Sequence, residues 1–333
     1  MAPASGSPRL QTPITRALPT MPTSAATDAP WDALIVGAGP AGLSAALVLG
    51  RCCRRVLVCD RGTPRSWASK EMHGFVSRDP IPPGEFLQLA RDELARYDGV
   101  RIVDLDVVRA SRTDAGFEIA GAEGPSHAGR KLLIATGLFD DLPPVDGVRE
   151  LFGKSVFQCP YCDGWEMRGK PVVVYGRGRR GFEMARAMTS WTRDLALCTD
   201  GPAGLSGAER DALAQHAIPV IELPIRNVVG QGGCLEGIVF ENGDMRPAQA
   251  LFFDTPSRPQ SNLAQMLGCA IDRNGGVRCR RYSESSVDGV FIAGNITRDV
   301  QLSIVAAAEG AKAAFGINRA LTREDFARGL RDG

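Results

Sequence analysis

The chain has 333 residues, 44% of them hydrophobic, with 39 basic and 38 acidic side chains. That length holds two domains with cores of their own, and a net charge of +1 supplies no basic face for nucleic acid or an anionic membrane. Nine cysteines with a single CxxC spacing, and no apolar secretory stretch ahead of them, describe mostly free thiols in a reducing, cytoplasmic compartment.

Residues 1–30 are rich in Pro, Ala, Ser and Thr, carry no aromatic residue and have no acid before Asp28. They are expected to form a disordered leader, with a start at Met21 or an Arg-containing transit peptide as the other readings. No segment is apolar for long enough to cross a membrane. Ordered structure is predicted from residue 31, where Ala33-Leu34-Ile35-Val36 reads as a buried parallel strand. The turn Gly37-Ala38-Gly39-Pro40-Ala41-Gly42 follows, then an apolar helix, then a strand over 54–59 ending in Asp60. This is a dinucleotide fingerprint in its required context. Glycines allow backbone to approach a pyrophosphate, a helix N-terminus faces that charge, and the acid receives ribose hydroxyls.

A loop over 63–83, containing His73-Gly74-Phe75 and Arg78-Asp79-Pro80, is expected to cover a cofactor. An amphipathic helix over 83–97 has Phe86, Leu87, Leu89, Ala90, Leu94 and Ala95 for its buried face. A small antiparallel meander follows over 100–133, and Ala135-Thr136-Gly137 closes it as a glycine turn. Paired acids and prolines over 139–144 mark a domain boundary. Beyond the CxxC, Val172-Val173-Val174-Tyr175 is a second buried strand running into Gly176-Arg177-Gly178-Arg179-Arg180-Gly181. A helix over 182–191 and a strand over 194–198, ending near Asp200, complete a repeat of the first unit. Strands alternate with turns over 226–253, and residues 255–259 read as a return linker. The strand Val290-Phe291-Ile292 enters Gly294-Asn295 and an Ala-rich helix over 301–321, after which 322–333 is expected to fray. The fold class is α/β: two Rossmann-like, doubly wound, three-layer domains. The first is discontinuous (31–142 and 255–321) and the second spans 143–254.

Between the two glycine motifs stands Cys159-Pro160-Tyr161-Cys162-Asp163-Gly164. Thiols three residues apart on one helical turn bring their Cβ atoms to roughly 5–6 Å, so they interconvert between dithiol and disulfide with little backbone change. A zinc site would need a second close pair of ligands, which the chain lacks; no metal is expected. Asp163 is the adjacent group able to move a proton, with His73 as a rival or assistant. Arg177, Arg179 and Arg180 either grip a pyrophosphate or form a basic loop over an unused cleft.

Taken together, GAGPAG at 37–42, ATG at 135–137, CPYCDG at 159–164, GRGRRG at 176–181 and GVFIAGN at 289–295 resemble the low-molecular-weight thioredoxin reductase family of flavoproteins. The resemblance covers about 32–321. It implies FAD held by Gly37, Gly39, Pro40, Ala41, Gly42, Asp60, Arg61, His73, Ala135, Thr136, Gly137, Gly294, Asn295, Gln301 and Leu302. It implies that Cys162 faces the flavin and Cys159 is the interchange thiol, in a homodimer whose domains rotate against each other. NAD(P)H, if used, would meet Gly176, Gly178, Arg179, Arg180, Gly181 and Asp200. The match is nearest the dithiol oxidases of gliotoxin and holomycin type, which close a disulfide in a small molecule. Thr199-Asp200-Gly201 replaces the arginine set that binds a 2′-phosphate, and Trp165-Glu166 and Leu138-Phe139-Asp140-Asp141 follow that branch. Two departures are Asp163, the residue of reductases, and Asn295 where the family has Asp. The implied substrate is a small-molecule dithiol, with a thioredoxin-like protein as the alternative, or a redox sensor with little turnover.

Overall fold

The protein is described by a computed structural model over residues 30–329, so the expected leader, apart from Pro30, lies outside the described residues. Strand β1 (Trp31–Val36) enters helix α1 (Pro40–Arg51) and returns as β2 (Val56–Asp60). Helix α2 (Pro83–Leu94) and β3 (Val100–Asp104) follow, then β4 (Arg109–Thr113), β5 (Gly116–Ala120) and β6 (His127–Ile134). β1 runs parallel to both β2 and β6, with Leu34 opposite Leu57 and Leu132. The sheet order is β3-β2-β1-β6-β5-β4. Ala33, Leu34, Ile35 and Val36 are all buried because layers cover both faces of the sheet.

Helix α2 ends three residues short of the expected 97, and its face is thinner than its pattern suggested. Only Pro83 and Leu94 are buried, and Leu89 is exposed. It rests on the α1 side of the core through Leu87, Ala90 and Leu94, while Phe86 packs on Phe75 with ring centroids 5.0 Å apart.

The chain leaves the first sheet through β7 (Leu138–Asp140), then α3 (Val148–Leu151), β8 (Val156–Phe157) and α4 (Pro160–Asp163). The second sheet is built from β9 (Val172–Tyr175), α5 (Gly178–Met188), β10 (Leu195–Cys198), α6 (Gly207–Gln215) and β11 (Val220–Ile221). An antiparallel set of β12 (Ile225–Gln231), β13 (Cys234–Phe240) and β14 (Met245–Pro247) precedes β15 (Ala250–Phe253). The parallel order is β11-β10-β9-β15-β8. The chain returns through β16 (Ser257–Pro259), which pairs antiparallel with β7, so the outgoing and incoming crossings are zipped into one ribbon.

After α7 (Leu263–Met266), β17 (Val290–Ile292) joins the first sheet beside β6, and α8 (Ser303–Arg328) packs on α1. Small residues make that contact close: a Cβ on Gly310 would overlap the Ala41 backbone. The fraying expected over 322–333 does not hold for 322–328, where α8 continues through Arg328; residues 330–333 lie outside the described residues. Its last charges are paired inward. Asp325 accepts from Arg54 at 2.7 Å and Arg130 at 2.6 Å, and Glu324 pairs with Arg130 at 3.0 Å and with Lys131. No helix among the described residues is long and apolar enough to cross a membrane.

Candidate active site

The β1–α1 turn is built so that backbone alone faces outward. Gly37 has φ +107° and lies so close to β6's exit that a Cβ would stand 2.8 Å from the Ala135 carbonyl carbon. Gly42 packs on Gly37, while Gly39 faces open space. Helix α1 has no side-chain cap and no acid in its first turn, which leaves its N-terminal N–H groups free for an anion. The turn opens on a cleft lined from both ends of the chain and from the turn that carries the CxxC.

Every residue expected to hold FAD lines this cleft except Gly42, which lies behind the turn. Gly37, Gly39, Pro40 and Ala41 form one stretch of wall; Ala135, Thr136 and Gly137 form another, with Thr136 Oγ1 3.0 Å from Ser261 Oγ. Gly294 donates its N–H to Glu309 at 2.7 Å, and Asn295, Gln301 and Leu302 follow around the α8 entrance. Asp60 is more engaged than expected: it accepts from Gly62 N at 3.1 Å and pairs with Arg91 on α2. Its remaining lone pairs still reach the cleft. Arg61 is turned to Thr63 Oγ1 at 2.7 Å and to Gln260. The uncapped helix end, the side-chain-free Gly39 and the acid at the end of β2 fit a dinucleotide such as FAD.

The redox pair reaches this cleft from the second sheet. Cys159 is the N-cap of α4 in extended backbone and Pro160 begins the helix, a position where its missing N–H costs nothing. Cys162 is bonded to Cys159 as a disulfide with Cα atoms 5.3 Å apart, inside the normal range. Cys159, Cys162 and Asp163 all line the cleft. Burial pushes the Asp163 carboxyl up to about 7; Glu166 adds to this and His73 opposes it. A carboxyl in that range both gives and takes protons at neutral pH. Gly164 lies against the Trp191 ring, and Tyr161 meets the same ring edge-on at 5.7 Å while remaining exposed.

Arg65 is the residue that reading the sequence missed. Its guanidinium grips Asp140 through both carboxylate oxygens, with Nε 2.6 Å from Oδ2, and also donates to Gln301 and, at 2.8 Å, to Gln158. It therefore ties the α8 entrance, the β7 crossing and the residue before Cys159 together. No motif marks it; the only signal was an arginine in a loop already expected to cover a cofactor. His73 lines the cleft as well, with Nδ1 2.8 Å from Asp79 Oδ1.

The second glycine motif lies outside the cleft and is turned on itself. Arg177 donates to the Thr199 carbonyl at 2.6 Å and to that of Asp200, whose carboxylate lies 3.5 Å away. Asp200 Oδ1 accepts from Ile225 N at 2.8 Å. Arg179 pairs with Glu183 at 3.2 Å and Arg180 approaches Asp254 at 3.9 Å. Gly176 and Gly181 pack backbone to backbone, and Gly178 takes φ +56° at the start of α5. Among the other thiols, burial holds Cys59 and Cys198 up at about 12, which leaves them unreactive. The described residues contain no group of three or more His, Cys, Asp or Glu placed to hold a metal.

The chain is similar to known proteins over most of its length. The family described as pyridine nucleotide-disulphide oxidoreductase matches residues 31–310. Thioredoxin reductase tcpT of Claviceps purpurea is 36% identical over 279 residues, covering 79% of this chain and 86% of that one. Thioredoxin reductase aclD of Aspergillus oryzae is 27% identical over 310 residues, covering 90% and 98%. The crystal structure of HlmI superposes with a TM-score of 0.87 at 33% identity, covering 92% of this chain and 96% of that one. The chain belongs to the pyridine nucleotide-disulphide oxidoreductase family, as a thioredoxin-reductase-like oxidoreductase of a kind that uses FAD and NAD(P)H.

Proposed function

We propose that the protein oxidises a small-molecule dithiol to an intramolecular disulfide at Cys159–Cys162. The observation that carries this reading is the second glycine loop. Its Arg177 lies across residues 199–201, and the Asp200 carboxylate that would take a ribose diol is turned inward to Ile225 N. An acid at that place also repels a 2′-phosphate. A loop closed in this way argues against electrons arriving from NADPH.

In the cycle, one substrate thiol gives its proton to Asp163 and attacks Cys159 Sγ. The Cys159–Cys162 bond breaks, and Cys162 leaves as a thiolate. The second substrate thiol attacks the sulfur bonded to Cys159, closing the product disulfide and releasing Cys159 as a thiol. Two electrons and two protons have then moved from substrate to enzyme. Bound FAD supplies the means of taking those two electrons from the dithiol and passing them to O2 or a nicotinamide. Gly37, Gly39, Pro40, Ala41, Thr136 and Asn295 would hold it beside Cys162.

The second reading is NAD(P)H-driven reduction of a thioredoxin-like protein. Asp163, the reductase residue of the motif, and the names of the relatives favour it. Stopped-flow mixing separates the two. Oxygen uptake on adding a small dithiol, with a flavin that NADPH and NADH leave oxidised, is the expected result. Rapid bleaching by either nicotinamide overturns the oxidase reading.

A further inference from the structure

The proton that Asp163 accepts has to leave a half-buried position in the wall of the cleft, and Glu166 and His73 are the ionisable groups whose charges reach it. Glu166 stands three residues on, and its Oε2 is buried with no hydrogen-bond partner. Its Oε1 lies 3.9 Å from His73 Nε2. The other ring nitrogen of His73 is fixed by Asp79 at 2.8 Å, and Asp79 is itself oriented by Gly74 N at 3.1 Å. A histidine with one nitrogen tied to a carboxylate presents the other in a set direction. The His73 side chain is 18% exposed, so it touches water as well as the cleft.

We propose that His73 is a proton relay between Asp163 and solvent, working through Glu166, with Asp79 as its positioning residue. This rests on the redox pair and not on the direction of electron flow. When a dithiol reduces the disulfide, Asp163 must be a carboxylate to take the thiol proton. Near and below neutral pH it holds a proton of its own, which has to be passed outward before each attack. When Cys159 and Cys162 close again, the Cys159 proton leaves as the two electrons do, and the same route carries it out. The groups facing His73 are Asp79 and Glu71 from its own loop and Glu166 and Asp163 from the α4 side. The carboxylates hold His73 protonated to a higher pH than an isolated imidazole, against the opposing pull of burial.

The test follows reduction of the Cys159–Cys162 disulfide by dithiothreitol in the FAD-loaded full chain, by rapid quench, alkylation and mass. His73→Gln is expected to slow it about tenfold at pH 6–7, the size of a modest acid–base contribution. The rates should converge above about pH 8.5, where dithiothreitol supplies its own thiolate. Imidazole should restore His73→Gly, and Asp79→Asn should move the pH dependence to lower pH, because His73 loses the partner that keeps it protonated. A His73→Gln rate equal to wild type at pH 6–7, or an equal deficit at every pH with no response to imidazole, overturns the relay. If His73→Gly does not fold, Asp79→Asn decides alone, and an unmoved profile overturns it. Because the readout is the disulfide itself, bleaching of the flavin by NADPH would end the oxidase reading and leave this result standing.

Discussion

Asp163 is charged at a cost to folding, and that cost has a definite place on the pH axis. Its carboxyl is raised from the ordinary 3.8 to about 7, chiefly by burial. Below the lower value it is protonated in both folded and unfolded chains, and nothing is lost. As pH rises toward the upper value the unfolded chain ionises freely while the folded one resists, so stability falls across that window and stays lower above it. Three pH units correspond to no more than about 4 kcal/mol. Asp163→Asn removes this penalty, so its melting temperature should exceed that of wild type at pH 8 and approach it at pH 5. The same substitution removes the proton acceptor, and disulfide exchange with dithiothreitol should slow by about 10²–10³. A stability offset independent of pH would show that the carboxyl titrates normally.

At the scale of elements, the end of α8 is a structural part that looks like a tail. Arg130 and Lys131 on β6 are largely buried, and their partners Glu324 and Asp325 come from the last turns of the helix. Ending the chain after Leu321 leaves Lys131 and Arg54 without these counter-charges and Arg130 with Asp32 alone, at 3.0 Å, which costs about 3–5 kcal/mol for a buried pair broken on one side. Chemical denaturation should show a lower midpoint at unchanged slope. A midpoint within error of the full chain would mean that the network contributes nothing. The reason this element was misread is physical. Thr322-Arg323-Glu324-Asp325 has the composition of a solvated end, and the side chains that order it lie some two to three hundred positions earlier in the chain. The glycine turns were legible because their constraint is local: Gly37 takes φ +107°, and a Cβ at Gly42 would overlap the Gly37 carbonyl in the same turn. The CxxC was legible for the same reason. Arg177 was left open between gripping a phosphate and closing a loop, because its partners at 199 and 200 appear only once α5 and β10 are folded side by side.

For the molecule as a whole, the chemistry depends on one sheet presenting Cys159 and Cys162 to a cleft formed by the other, and Arg65 is one of the side chains that join them there, beside the Trp67–Phe152 ring contact. Its bidentate hold on Asp140, whose side chain is only 8% exposed, fixes the guanidinium within the first unit. Nη1 donates to Gln301, and Nη2, shared with Asp140, crosses to Gln158, next to Cys159. The two bonds have different consequences when cut. Arg65→Ala removes the charge that offsets a buried carboxylate and should destabilise the chain by about 3–5 kcal/mol. Gln158→Ala removes only the crossing bond, a neutral acceptor from a charged donor, and should cost about 1–2 kcal/mol. Gln158→Ala should therefore keep its fold, its FAD and the exchange of its disulfide with dithiothreitol, yet pass electrons from dithiol to flavin more slowly, because the redox turn is no longer held at the cleft. Rapid anaerobic mixing that follows thiol formation and flavin absorbance side by side reads the two steps separately. Equal slowing of both would place Gln158 in thiol exchange itself. No slowing of either would leave the β7–β16 ribbon as the element that sets the approach of the redox pair.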